Sequence, residues 1–329
     1  MYDLYGLGNA LVDMEYTIED SFLSQNDIPK GHMTLVDEPR LLSLIDSLEA
    51  LEPARLSGGS AANSIIASQA LGSSCFYSCK VNADEIGDFF VTDMRNTGVV
   101  LNDNAQANGD HSGRCLVLIT PDAERSMNTY LGISSTLAVE QVNTDALKAS
   151  RYFYTEGYLS SSETAMAAAI ACREVADAHD VKTCVSLSDP SMVEFFGDNL
   201  KAILGNGVHM IFCNEEEALT LTGTDRLDVA MNELTDMAHQ VHVTLGAKGS
   251  HWSDGKNSKT VAGYPVQAID TNGAGDAFAG ACLHGLISGM EPAIAARLGN
   301  HAAAAVVSQF GARLHSVADY QKMLKAFTP

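Results

Sequence analysis

The sequence predicts an open, doubly wound α/β fold: a mostly parallel sheet flanked by helices, with a small β lid. Three observations predict it. Short β-rich runs alternate with helical stretches over most of the chain. Several of those runs, such as "VHMIFC" and "VHVTL", are almost continuously apolar, which suits strands covered on both faces. Two glycine-rich turns, "SGGSAANSIIASQALG" and "DTNGAGDAFAG", each run into a helix, where a sheet of this kind places ligands beyond its carboxyl ends.

Taken in order, the pattern places strands over Tyr2–Gly6, Cys75–Cys79, Arg114–Thr120, Tyr152–Thr155, Lys182–Leu187, Val208–Phe212, Val241–Leu245 and Val266–Ile269. Helices are expected over Ser60–Leu71, Asp84–Asn96, Glu163–Ala178, Val229–Gln240, Asp276–Met290 and Pro292–Gln309. Two stretches break the rhythm. Residues 14–40 and 101–130 hold polar turns ("SQNDIPKGH", "NDNAQANGDHSG") and short β-like runs, and read as a small β lid. Residues 1–13, 41–100 and 131–329 then form the core. An ordinary surface insertion is the plainer reading of the same two segments.

Composition excludes several functions. The chain has 329 residues, 20 Lys+Arg against 41 Asp+Glu, and a formal charge of -21. No basic face is available for a nucleic-acid backbone or an anionic membrane. No apolar run approaches the roughly 18 residues of a spanning helix, and the first residues carry no signal-like pattern, so a cytoplasmic protein is expected. The seven cysteines are scattered, as expected of buried thiols in a reducing compartment. His239 and His242 have no acidic or cysteine companions, so a surface histidine and a strand end are expected there rather than a metal site. A monomer and a homodimer both fit, since no apolar stripe demands a partner.

The turn at 270–280 carries the chemistry. Gly273, Ala274 and Gly275 lead into a helix whose first N–H groups have no partner and whose dipole adds about half a positive charge. They can form an anion hole without a lysine. Asp276 sits where it would repel an anion. It reads as a helix cap or as a base beside the anion hole, the two parts that phosphoryl transfer needs together. The chain has no GxxxxGK[ST], and "GLGNAL" lacks the third glycine of a dinucleotide fingerprint. In the other motif, Gly58 and Gly59 precede a helix opening at Ser60, and Asn63 lies on its first turn. Ser60 as a simple cap is one reading. The other is a polyol site made of the double-glycine backbone and a carboxamide.

The two segments, about 210 residues apart and in this order, resemble the two signatures of the ribokinase-like (PfkB) family of carbohydrate and nucleoside kinases. Further segments are similar to that family along the whole chain: "GNALVD" at 8–13, "NEEEA" at 214–218, "VTLGAKGS" at 243–250 and "NHAAAAVVSQFGAR" at 300–313. The spacing of Gly8, Asn9 and Asp13, "EGYL" at 156–159 and "SLSDP" at 186–190 resemble the adenosine-kinase branch.

The resemblance implies ATP-dependent phosphorylation of a primary hydroxyl, with Asp276 as base and Gly273, Ala274 and Gly275 as anion hole. It implies that Asn9 and Asp13 take ribose hydroxyls with Gly58, Gly59 and Asn63. Leu11 and Tyr158 would face a nucleobase, and Arg125 in the lid would reach substrate or phosphate. Asn214 and Glu217 match an N-x-x-E pair that organises Mg²⁺ through water. An acidic helix N-terminus is the plainer reading of that pair. Thr244, Gly246 and Asn300 are placed toward the nucleotide, and Asp270 and Asn272 at a possible K⁺ site. The implied substrate is a nucleoside such as adenosine, or else a sugar such as ribose or fructose. An Asp of ordinary pKa, about 3.9, would accept its proton late.

Overall fold

The structure is a computed structural model. It describes residues 1–122 and 124–328; Ala123, inside the expected lid, and Pro329 lie outside the described residues. A nine-stranded sheet forms the centre. Across it run Ser258–Ala262, Gly249–Ser253, Ala238–Thr244, Val208–Asn214, Lys182–Ser186, Ser150–Glu156, Tyr2–Leu7, Cys75–Ser78 and Val100–Leu101. The seven strands from Ala238–Thr244 to Val100–Leu101 pair in parallel. The hairpin Gly249–Ser253/Ser258–Ala262 closes one edge in antiparallel register.

The apolar runs are explained by the two cores. Leu4, Tyr77 and Tyr154 belong to one buried cluster, while their chain neighbours Tyr5, Phe76 and Phe153 belong to the other. A strand whose side chains alternate between two dry faces must be apolar at every position. The helices Ser60–Leu71, Ala274–Ile287 and Pro292–Val307 contribute to one cluster. Glu163–Asp177, Pro190–Leu204 and Leu227–Met237 contribute to the other. No described helix is long and apolar enough to cross a membrane.

The second sheet has five strands, in the order Met33–Leu35, Arg125–Tyr130, Gly113–Ile119, Leu11–Thr17 and Ala54–Gly58. Its extent differs from 14–40 and 101–130. Ala54–Gly58 pairs antiparallel with Leu11–Thr17, so residues expected in the core complete this sheet. Val100–Leu101 pairs with Cys75–Ser78 and belongs to the main sheet. The strand expected at Val266–Ile269 is absent. This segment is irregular, with Val266 and Ile269 exposed, and the N–H groups of Ile269 and Asp270 donate to the Val307 carbonyl at the end of a helix. The alternation of "PVQAI" is strand-like, yet among the described residues the segment has no strand to pair with.

One glycine brings the two motifs together. At Gly280 an added Cβ would lie 2.3 Å from the Ser64 carbonyl oxygen. The helices Ser60–Leu71 and Ala274–Ile287 therefore touch backbone to side-chain-free backbone, which no other residue type allows. Their N-termini consequently open on the same cavity.

The candidate active site at the strand ends

The chain order across the main sheet reverses beside Tyr2–Leu7, whose neighbours are Cys75–Ser78 and Ser150–Glu156. A cavity of about 480 Å³ lies beyond the carboxyl ends there. Asn9, Glu156, Ser186, Asn214 and Thr244, each at or just past a strand's carboxyl end, line it together. Leu11, Asp13, Gly59, Asn63, Tyr158, Glu217, Gly246, Asn272, Gly273, Ala274, Gly275 and Asp276 line the same space.

Gly273 is the N-cap of Ala274–Ile287, with φ +70, and an added Cβ would sit 1.8 Å from the Ala312 carbonyl oxygen. A glycine is needed twice over, for the left-handed backbone and for the close approach. The Ala274 N–H folds back on the Thr271 carbonyl at 3.3 Å. The space beside Gly275 is open. Among the described residues the Gly275 and Asp276 N–H groups have no backbone partner, and both residues line the cavity, as an anion hole requires.

Asp276 follows on the first turn. Both of its carboxylate oxygens are engaged: the Ser60 hydroxyl donates to Oδ1 at 2.6 Å, and the Asn63 amide donates to Oδ2 at 3.0 Å. Burial pushes its pKa up to about 6, against the lowering effect of these two bonds. The ordinary Asp value expected from sequence is therefore corrected, because enclosure disfavours the charged form. Asn63 is buried, and its Oδ1 has no partner among the described residues. Asp13 lies over Gly58, where an added Cβ would meet its Oδ2 at 2.5 Å. Burial, and then the neighbouring Glu15, push its pKa up to about 7.

Glu156 was not singled out from sequence, although "EGYL" contains it. It is fully buried. It accepts from the Asn9 N–H at 2.9 Å and the Ala61 N–H at 2.6 Å, tying the first strand's end to the helix after Gly59. Burial pushes its pKa up to about 7. The Asn9 side chain in turn accepts from the Ser134 hydroxyl at 3.2 Å. Ser60 also has a role that sequence did not assign. The N-cap of its helix is Gly59, with no side-chain cap, and Ser60 turns to Asp276 instead.

Asn214 and Glu217 form a reciprocal capping box. The Asn214 side chain accepts from the Glu217 N–H at 2.8 Å, and the Asn214 N–H and amide donate to the Glu217 carboxylate at 3.0 and 2.7 Å. Burial pushes the Glu217 pKa up to about 7, with Asp189 and Asp276 adding to the rise. A hard cation that keeps its waters fits this oxygen set, since direct ligation would break the box. Among the described residues, no three His, Cys, Asp or Glu side chains converge to cage a metal directly.

Four expectations are corrected. Arg125 does not reach the cavity. It is buried, pairs with Glu15 at 3.1 Å and Asp270 at 3.0 Å, and lies over the Phe310 ring. Asp270 is consequently filled, because its other bonds come from the Asn272 and Gly311 N–H groups at 3.1 and 2.9 Å. A guanidinium stands where K⁺ was expected, so Asp270 does not fit that ion. Asn300 is not among the residues that line the cavity; it is buried and donates to the Val261 and Ala262 carbonyls. His239 is exposed as expected, but His242 is no strand end. It is fully buried, stacks on Phe212 with ring centroids 5.2 Å apart, and burial lowers its pKa to about 3. All seven cysteines are free and buried.

Comparison with known proteins matches this geometry. A family model described as pfkB family carbohydrate kinase matches residues 43–318. The structure is similar to the adenosine kinase from Sinorhizobium meliloti, with 34% identity, a TM-score of 0.90 and 99% of each chain covered. It is likewise similar to a probable sugar kinase protein from Rhizobium etli CFN 42, with 31% identity, a TM-score of 0.90 and coverage of 99% and 98%. Adenosine kinase 1 from Arabidopsis thaliana is 25% identical over 334 residues, covering 94% of each chain. The glycine turn, the facing carboxylate and these likenesses converge: the chain belongs to the pfkB family of carbohydrate kinases and is a phosphotransferase that acts on a hydroxyl group.

Proposed function

We propose that this protein transfers the γ-phosphoryl group of ATP to the primary 5′-hydroxyl of a nucleoside, adenosine being the best fit, with Asp276 as general base. The single observation that carries the reading is that Asp276, the glycine turn Gly273–Gly275, Asn9 and Asp13 line one cavity. The acceptor oxygen attacks the γ-phosphorus, its proton passes to Asp276, and the bond to the bridging oxygen breaks with its electron pair leaving on ADP. The Asp276 pKa of about 6 suits this task better than an ordinary carboxyl. The N–H groups after Gly273 stabilise charge on the transferring group. Asn214 and Glu217 would hold Mg²⁺ through water, and the ion would neutralise phosphate charge in an otherwise acidic cavity.

The acceptor end is polar at one side and apolar at the other. Asp13, Asn9 and the free Oδ1 of Asn63 suit ribose hydroxyls. Leu11, Met33, Leu35, Met127 and Leu131 present an apolar wall from the smaller sheet and the turn after it, and Tyr158 adds an aromatic edge. A free sugar has no group for that wall, and a purine has. The sugar-kinase reading draws on the polar half alone and on the likeness to the Rhizobium etli protein.

ADP release from Mg-ATP with adenosine, inosine, guanosine, ribose and fructose tests the choice. Turnover with adenosine well above the sugars is expected. Turnover with ribose or fructose alone would overturn the nucleoside reading and leave the phosphotransferase in place.

A further inference from the structure

The bonds on Asp276 are unequal in kind. The Asn63 amide that holds Oδ2 belongs to a buried side chain on a helix, so that bond is part of the framework. The Ser60 hydroxyl that holds Oδ1 is attached to a residue lining the cavity and needs only a rotation about one bond to leave. Capping does not explain its orientation. Gly59 occupies the N-cap position of the helix, no side chain caps it, and among the described residues the carboxylate is the only hydrogen-bond partner of the Ser60 hydroxyl. The hydroxyl thus stands within 2.6 Å of a carboxylate oxygen that a substrate hydroxyl must reach.

We propose that Ser60 is a positioning residue that guards the base: it occupies Oδ1 of Asp276 while no acceptor is bound and yields that oxygen to the acceptor hydroxyl. The proposal rests on Asp276 being the base. Its consequence is selectivity against water. Hydrolysis of ATP would follow the same course as transfer, with a water oxygen forming the bond to the γ-phosphorus, its proton going to Asp276, and ADP and phosphate leaving. With Oδ1 bonded to Ser60 and Oδ2 to Asn63, a stray water meets a carboxylate with a lone pair of each oxygen already engaged and must compete with Ser60 for Oδ1. A bound acceptor is held by Asp13 and Asn63, so it displaces the serine where a single water does not. Of the other carboxylates that line the cavity, Glu156 is engaged by two backbone N–H groups, Glu217 by its capping box and Asp189 by the Ser191 N–H and hydroxyl, while Asp13 lies over Gly58, where the acceptor hydroxyls are held.

The test compares ADP release by the full chain from Mg-ATP alone and from Mg-ATP with adenosine, or with whichever compound of the panel turns over. Ser60→Ala and Ser60→Gly each remove the hydroxyl; Ser60→Thr keeps it. Acceptor-independent ADP release should rise about tenfold in Ala and Gly, the factor a hydrogen bond to a charged group carries. It should return toward the starting level in Thr and disappear in Ser60→Ala/Asp276→Asn. An unchanged ratio of hydrolysis to transfer in both Ala and Gly overturns the guard. So does hydrolysis that persists in the double variant. If Asp276→Asn alone retains transfer, the base assignment fails instead, so the two failures are distinguishable.

Discussion

Asp276 carries the charge around which the neighbouring side chains are arranged. Its pKa is raised by enclosure and held down by Ser60 and Asn63, which leaves it at about 6. The sign of the resulting pH dependence follows directly. With Asp276 as the proposed base, transfer would need the unprotonated carboxylate, so kcat should be constant above pH 7 and fall below pH 6 as the group takes up a proton. A pH–rate profile measures this; an acid limb near the ordinary Asp value would show that the cavity does not perturb the base. Asp276→Asn should lower kcat by about 10³-fold, the scale of general-base catalysis, while ATP still binds. Asp13 is proposed to hold the acceptor instead. Asp13→Ala should raise KM for the acceptor at least tenfold, the loss expected of a hydrogen-bonding charged group, and leave KM for ATP nearly unchanged in steady-state kinetics.

At the scale of elements, the site depends on two helices whose N-termini meet. The Ser60–Leu71 helix brings Ser60 and Asn63, and the Ala274–Ile287 helix brings the anion hole and Asp276. Their contact runs through Gly280 against Ser64, where an added Cβ would be 2.3 Å from backbone oxygen. Gly280→Leu should therefore separate the helices. A loss of about 1–3 kcal/mol in denaturant unfolding is expected, the usual cost of overpacking. The kcat should fall more than KM rises, since Ser60 and Asn63 move away from the base. A variant as stable and active as the natural chain would show that this crossing does not set the site.

On the scale of the whole molecule, buried arginines join the smaller sheet to the segments that flank the Ala274–Ile287 and Pro292–Val307 helices. Arg125, on the smaller sheet, pairs with Glu15 of that sheet and with Asp270 just before the anion hole. Arg313, just past the anion-hole partner Ala312, donates to the Ser57 carbonyl and hydroxyl at 3.1 and 3.2 Å and pairs with Asp93. Removing one partner of a buried pair leaves the others uncompensated. Arg125→Ala should cost about 3 kcal/mol in urea unfolding. It should also weaken ATP binding, because Asp270 holds the Asn272 and Gly311 N–H groups beside the anion hole. Wild-type ATP affinity with reduced stability would confine Arg125 to a structural role.

Much of this is legible in the linear chain because its signals are local. A strand buried on both faces must be apolar at each position, and a helix N-terminus that approaches an anion must be glycine-rich. "VHMIFC" and "NGAGD" therefore declare their places through their own residues. The site residues on the two glycine turns follow from that pattern, and those at the strand ends from the resemblance to the pfkB family. Tertiary structure decided what depends on distant neighbours. Whether "PVQAI" pairs as a strand depends on an adjacent edge, and none of the described strands offers one. Whether Arg125 faces ligand or carboxylate depends on Glu15 and Asp270, which lie 110 and 145 residues away along the chain. The acidity of Asp276 and the buried roles of Glu156 and Ser60 come from enclosure and from hydrogen bonds between segments as far as 216 residues apart. Such long-range pairings leave no periodic trace in a sequence, because each is a single contact made by the packing of the whole molecule.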